Sequence, residues 1–308
     1  MTDKKSFLAR SAALASITVA VFLIALKTWA TWKTGSTAML GSLADSGLDL
    51  VASIATLVGV WIASMPADDN HRFGHGKAEA LAAMFQVMLI ALSASGIAYR
   101  AVTKLIGGGR VEAAPEGMAV SAIAIVATLL LLGWQRYVMA RTRSVAIRAD
   151  HVHYQSDLLL NLAVIAALAL DQYVGFAQAD PLFGLAIAAW LLWGAWNAAG
   201  EAIDHLMDKE WPEERRDAFL AVLAKHPDIR GVHDLRTRTS GNDDFVQFHM
   251  AVDPGLSIVT VHDLMDDVEA RIAQDFPGVE VLIHPDPVGL PRQEGAELLP
   301  ETAEGVTP

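Results

Sequence analysis

Not one cysteine occurs among the 308 residues. That absence excludes a disulfide framework, a thiolate nucleophile and any Cys-built zinc or iron–sulfur site, so a bound metal would have to use His, Asp or Glu. Charge is also scarce: 19% of residues are charged against 53% hydrophobic, and mean hydropathy is +0.35. An ordinary soluble enzyme does not have that balance. Positive charge is thin in the C-terminal third, where residues 207–308 hold 21 acids and 9 Lys or Arg, whereas residues 1–206 hold 14 of each. A nucleic-acid partner would require the opposite sign, so no nucleic acid is expected. HExxH is missing too, which removes the usual base of an intramembrane metallohydrolase.

What the chain does have is long apolar runs, at roughly 7–32, 38–63, 79–105, 117–140, 145–170 and 181–204. Each is long enough to cross about 30 Å of hydrocarbon as a helix, so a multi-pass α-helical membrane protein with six transmembrane helices is expected in a lipid bilayer. The first run follows Lys4, Lys5 and Arg10 but is too long for a secretory leader, and it counts as a helix. Lys4, Lys5, Arg10, Arg72, Lys77, Arg136, Arg141, Arg143 and Arg148 fall on one side of this arrangement, against chiefly Lys33, Lys104 and Arg110 on the other. The richer side is expected to be cytoplasmic, and an even number of spans then places both termini there.

After Trp211-Pro212 the texture is that of a soluble domain. Residues 213–225 and 258–274 read as helices, and 232–239, 244–252 and 279–284 as strands, the first two joined across Gly241-Asn242. The expected order is αββαβ, a small α+β domain over 207–290 following the membrane domain of 1–206. His226, before Pro227, reads as a C-terminal helix cap. Pro, Glu, Gly and Thr dominate 291–308, which is expected to be a disordered tail.

Ionisable residues stand where lipid opposes them. Asp45 and Asp49 lie in the second span, and His153 and Asp157 in the fifth. Each pair is spaced i, i+4, so its two side chains share one helix face, and two such helices could aim four ligands at one point. An ionised group at mid-membrane costs about 2.5–3.5 kcal/mol, so four require a compensating partner, and a divalent cation is one. Three carboxylates and an imidazole suit Zn²⁺, Cd²⁺ or Fe²⁺, and are too few for Ca²⁺. Ligand type does not choose among the three. Protons compete with a cation for such a site, with His153 and either Asp49 or Asp157 as the expected carriers. Lys27, in the first span, is expected to extend toward the outer interface. Hydrogen bonding of Asp45 and Asp49 to neighbouring helices is the plainer alternative.

Two further clusters are legible. Asp68, His71 and His75 fall in PADDNHRFGHGK, where Gly74 and Gly76 let the backbone bend; a solvated polar loop is the alternative. In the acidic domain His233, His249, His262, His284 and Asp286 sit on or at the ends of the expected elements.

SLADSGLDLVAS at 42–53, PADDNHRFGHGKAEALAA at 66–83 and RADHVHYQSDLLLN at 148–161 resemble the cation diffusion facilitator family, in particular its bacterial zinc and ferrous-iron efflux pumps of the YiiP type. The resemblance runs from about 7 to 290. It implies a homodimer in the bacterial inner membrane that exports Zn²⁺, or Fe²⁺ or Cd²⁺, in exchange for protons by alternating access, with no organic cofactor and no enzymatic activity. Carried over by position, Asp45, Asp49, His153 and Asp157 correspond to the transport site, and Asp68, His71 and His75 to a loop site. His233, His249, His262, His284 and Asp286 correspond to a cytoplasmic binuclear site of regulatory Zn²⁺ with Asp286 bridging. Lys77 and Asp208 correspond to interlocking charges at the dimer hinge. Pro285 departs from the family pattern, since a polar residue is expected between His284 and Asp286. A metal sensor that uses the C-terminal cluster alone would leave Asp45, Asp49 and Asp157 without a role.

Overall fold

The computed structural model describes residues 2–34, 37–107, 115–174, 176, 178–289 and 297–299. The chain forms two units, Met1–Asp204 and His205–Pro308.

The first unit is built from α1 (Thr2–Thr34), α2 (Thr37–Ala63), α3 (Ala78–Gly107), α4 (Pro115–Met139), α5 (Val145–Val174) and α6 (Ala179–Leu206), the last running just past the boundary. The shortest, α4, has 25 residues, about 37 Å at 1.5 Å per residue, which exceeds a bilayer's apolar thickness. Among the described residues, five of the six show an apolar stretch long enough to span. In α5, Arg148, Asp150, His151, His153 and Asp157 crowd the first half, and the apolar run follows them.

Lipid-like solvent gives these helices no hydrophobic drive to associate, so close backbone approach matters, and small residues supply it. Ala9, Ala12 and Ala13 of α1, Val60 of α2, Ala82 of α3, Val138 of α4, and Ala146 and Ile147 of α5 form one buried cluster. At Gly59 the contact is tight enough that a Cβ would collide with that of Ala82. Ile90 and Ala94 of α3 pack on Leu191 and Ala195 of α6, and Lys104 Nζ donates to Asp180 Oδ2 at 2.7 Å. Large apolar side chains such as Leu92, Leu130 and Trp196 point outward, as the sides of a membrane bundle require.

The second unit has α7 (Glu213–Leu223), β1 (Gly231–Ser240), β2 (Asp243–Val252), α8 (Ile258–Asp275), β3 (Val279–Pro287) and β4 (Glu297–Leu299). The sheet order is β3-β2-β1-β4. Gly241, at φ 62°, turns β1 back on β2, antiparallel, because only glycine takes that conformation without cost. β3 lies parallel to β2, and α8 makes the crossover that a parallel pair needs. Ser257 caps α8 by accepting from the Thr260 amide at 3.2 Å.

Leu264, Val268 and Ile272, one stripe of α8, are buried with Phe219 and Leu223 of α7 against Val246, Phe248, Met250 and Val252 of β2. Those β2 residues alternate, so one sheet face carries the helices and the intervening His249 lies on the other. The αββαβ order is thus present, with one added strand. The tail expected at 291–308 lies outside the described residues except for Glu297–Leu299, which pair with β1 at Val232 and His233. The composition of the tail concealed this strand, because an edge strand of three residues needs little apolar content.

Candidate metal centres

On α2 and α5 the two i, i+4 pairs face one cavity of about 320 Å³, lined by Asp45, Asp49, His153, Ser156 and Asp157, by Ser93, Gly96 and Arg100 of α3, and by Leu191 of α6. Asp49 and His153 are buried, and His153 Nε2 lies 3.0 Å from Asp49 Oδ1 in a hydrogen bond. One ligand atom each from Asp49, His153 and Asp157 falls within 4.8 Å of the others. Asp45, exposed and one turn along α2, lines the same cavity but stands outside that set. Two carboxylates and an imidazole converge, therefore, with the fourth expected ligand at the lip. This donor set suits a borderline divalent ion and leaves a coordination position open.

In the loop between α2 and α3, Asp68 draws the chain around itself. Its Oδ1 accepts from the backbone amides of Asn70 at 2.9 Å and His71 at 2.6 Å. His71 Nδ1 approaches the same oxygen at 3.2 Å, and His75 Nε2 approaches Oδ2 at 3.3 Å. Gly74, at φ 76°, allows the reversal that brings both rings to one carboxylate. The hydrogen bond from the His71 amide, foremost, holds the Asp68 carboxyl below its ordinary range. All three expected residues converge, and an anionic carboxylate between two imidazoles fits a cation.

Register builds the third cluster. β1 pairs His233 with His249, and β3 pairs His284 with the same His249, so three imidazoles form one row across three strands. Asp286 Oδ2 accepts from His249 Nδ1 at 2.8 Å and lies 3.2 Å from His233 Nε2, while its Oδ1 lies 3.2 Å from His284 Nε2. Burial pushes this carboxyl up, but the hydrogen bond from His249 and the charges of His249, His284 and His233 outweigh it and hold the group below its ordinary range. A carboxylate with imidazoles on both oxygens fits a bridging position. Asp234, which the sequence did not single out, stands 3.8 Å from His249 Nε2.

His262 does not join this row. It sits on the exposed side of α8, with Asp266 4.0 Å away, because the buried stripe of that helix runs through Leu264, Val268 and Ile272. His226 is not a charge-type cap either: Ala224 caps α7, and the buried His226 ring bonds Asp267 of α8 at 2.8 Å. Lys77 immediately precedes α3. Asp208, in the second unit, takes a left-handed backbone at φ 55° and lies 3.6 Å from Arg238.

Residues 13–207 match the cation efflux transmembrane domain, and residues 211–288 match the cytoplasmic domain of the cation efflux proteins. The chain belongs to the cation efflux family. It is 44% identical to the cation-efflux pump FieF of Cronobacter sakazakii over 276 residues, 90% of this chain and 92% of the relative. With the cation-efflux pump FieF of Serratia proteamaculans the identity is 42% over 287 residues, 93% of this chain and 95% of the relative. A crystal structure of the cytosolic domain of a cation diffusion facilitator family protein is 26% identical and covers 25% of this chain and 93% of its own, at a TM-score of 0.24.

Two features of this cation efflux protein escape sequence reasoning. The first is Asp150, fully buried between helices. Its Oδ2 accepts from Ser16 of α1 at 2.5 Å and Gln135 of α4 at 2.8 Å, and its Oδ1 accepts from Gln86 of α3 at 2.9 Å. The network continues from Gln135 to His151 and from Ser16 to Tyr154, whose hydroxyl donates to the Ser16 carbonyl at 3.0 Å and meets Ser53 at 2.9 Å. One signal was available: Asp150 precedes Asp157 by seven residues, two helical turns, and so shares its side of α5.

The second is Lys27. Rather than extending to the interface, its ammonium donates to Ser46 Oγ at 2.6 Å and to the Ser42 carbonyl at 3.2 Å, both on α2. Proximity to the acidic cavity favours this inward pose over hydration.

Proposed function

We propose that this cation efflux protein moves a divalent metal ion, Zn²⁺ first and Fe²⁺ or Cd²⁺ as alternatives, out of the cytoplasm in exchange for protons. The observation that carries the reading is the convergence of Asp49, His153 and Asp157 within 4.8 Å inside an apolar helix bundle, where carboxylates without a cation are costly. The names of the cation-efflux relatives support the direction of transport.

In this reading the ion enters from the cytoplasmic side and displaces protons from His153 and from Asp49 or Asp157, with Asp45 completing the site at the lip. Reorientation of the helices exposes the site outward. Protons then compete the ion off and are carried back on the return step. The chain acts as a homodimer in the bacterial inner membrane with both termini cytoplasmic. His233, His249, His284 and Asp286 hold regulatory Zn²⁺, and Asp68, His71 and His75 hold an ion at the cytoplasmic entrance. A ligand that prefers one conformation shifts the population toward it, so metal in the cytoplasmic domain raises the transport rate.

The test is flux in proteoliposomes with a trapped zinc indicator and a pH-sensitive dye. Zn²⁺ uptake is expected to be accompanied by proton movement the other way, and Asp49→Ala is expected to abolish both while the protein stays folded. Wild-type flux in Asp49→Ala would reject the site, and Zn²⁺ flux with no proton signal would reject the exchange.

A further inference from the structure

We propose that the Lys27 ammonium is a tethered counter-cation of the Asp49–His153–Asp157 cavity, one that weakens divalent-cation binding and so hastens release. The inference rests on the transport-site reading above and adds a residue that sets the affinity of that site.

Lys27 lies seven residues before the end of α1, about 10 Å along the axis. A lysine stem could carry its charge most of that way to the interface. The side chain instead crosses to α2 and binds Ser46 and Ser42. Ser46 is fully buried, directly follows Asp45 and precedes Asp49 by three residues, so the ammonium is fixed beside the acidic face of α2. Both of its partners are neutral. Among the described residues no carboxylate makes an ion pair with it.

A charge held on neutral partners is not needed for packing, since a neutral donor of similar length such as glutamine could bond the same serine at less cost. What only a cation supplies is a field. With the cavity empty, that field offsets part of the mutual repulsion of the carboxylates. With a divalent ion bound, the same charge opposes the cargo, and in a weakly screening interior the opposition acts across several ångströms. Occupied and empty states are thereby brought closer in free energy, which a transporter needs and a storage site does not. Arg100 also lines the cavity, but its side chain is exposed, whereas the Lys27 ammonium is held on α2 by two hydrogen bonds.

The experiment is Zn²⁺ flux by the full-length protein in proteoliposomes, with kcat and KM resolved. Lys27→Met, which keeps length and removes charge, is expected to lower KM by about tenfold and to lower kcat as release slows; Lys27→Arg is expected to keep both near wild type. A merely structural lysine would give a fall in kcat with KM unchanged or raised, and either of those results overturns the proposal. Should Lys27→Met fail to fold, Ser46→Ala loosens the tether without removing the lysine and is expected to shift KM downward by a smaller factor; an unmoved KM overturns the proposal equally. Asp49→Ala separates the two levels. If it transports like wild type, the transport site itself is misplaced. If it is inactive while Lys27→Met keeps wild-type KM and kcat, only the role of Lys27 falls.

Discussion

Replacing Asp150 tests whether the buried network is a structural clamp. The carboxylate accepts three hydrogen bonds from three different helices, and none of Ser16, Gln86 or Gln135 is exposed to solvent. Asp150→Leu removes the acceptor for all three, and a buried hydrogen-bonding group left unpaired costs about 1–3 kcal/mol. Each donor has a fallback: Ser16 keeps the Ala12 carbonyl at 3.1 Å, Gln135 keeps Ser16 at 3.1 Å, and Gln86 keeps Thr56 at 2.6 Å. The loss is therefore nearer one or two unmade bonds than three, about 2–4 kcal/mol in all. Asp150→Asn keeps the shape but turns one oxygen into a donor that faces another donor. Gln86 can relieve this by flipping its amide, because its Oε1 is buried without a hydrogen-bond partner, so the Asn variant is expected to lose only about 1 kcal/mol. Heat-induced unfolding of the detergent-purified protein, followed by tryptophan fluorescence, should rank wild type above Asp150→Asn above Asp150→Leu. A leucine variant as stable as wild type, or an asparagine variant less stable than the leucine, would refute the donor assignments.

Two other outcomes are expected. His153→Asp removes the one imidazole among the described residues that line the membrane cavity and hardens its donor set, so Mn²⁺ flux should rise relative to Zn²⁺; an unchanged ratio in competitive uptake would count against ligand type as the selector. Asp286 has a folded-state value below its ordinary 3.8, so its contribution is present above that pH and lost as pH falls through the lower folded value. Hydrogen exchange of β1 to β3 in the full chain should accordingly be faster in Asp286→Asn than in wild type at pH 5, with the difference closing well below pH 3.8. A difference that persists unchanged in strong acid would show that the charge is not its source.

The parts that stand out in the sequence are those in which a periodicity coincides with a penalty. Asp45 and Asp49, then His153 and Asp157, stand out because lipid makes charge conspicuous and four residues make one turn. The soluble elements were legible because Leu264, Val268 and Ile272 repeat at helical spacing and Gly241 marks a turn. Long-range partnership was not legible. Asp150 looks like any acid near a helix start until Ser16, Gln86 and Gln135 arrive from three other helices. Lys27 could satisfy its charge outward or inward, and only the position of Ser46 decides. His262 was grouped with the other histidines by kind, whereas the rotation of α8 that buries its leucine–valine–isoleucine stripe turns that imidazole away.

The histidine row depends on strand alignment more than on local shape. His233, His249 and His284 are neighbours only because two separate ladders, one antiparallel and one parallel, are in phase at a single rung. A one-residue slip of β1 on β2 would turn His233 to the face opposite His249, and the bulge at Asp234 and Leu235, between that rung and the hairpin tip, takes up one extra residue of β1 and keeps the two ladders in phase. Length changes in the β1–β2 hairpin thus leave the cluster intact only where a bulge of this kind absorbs them.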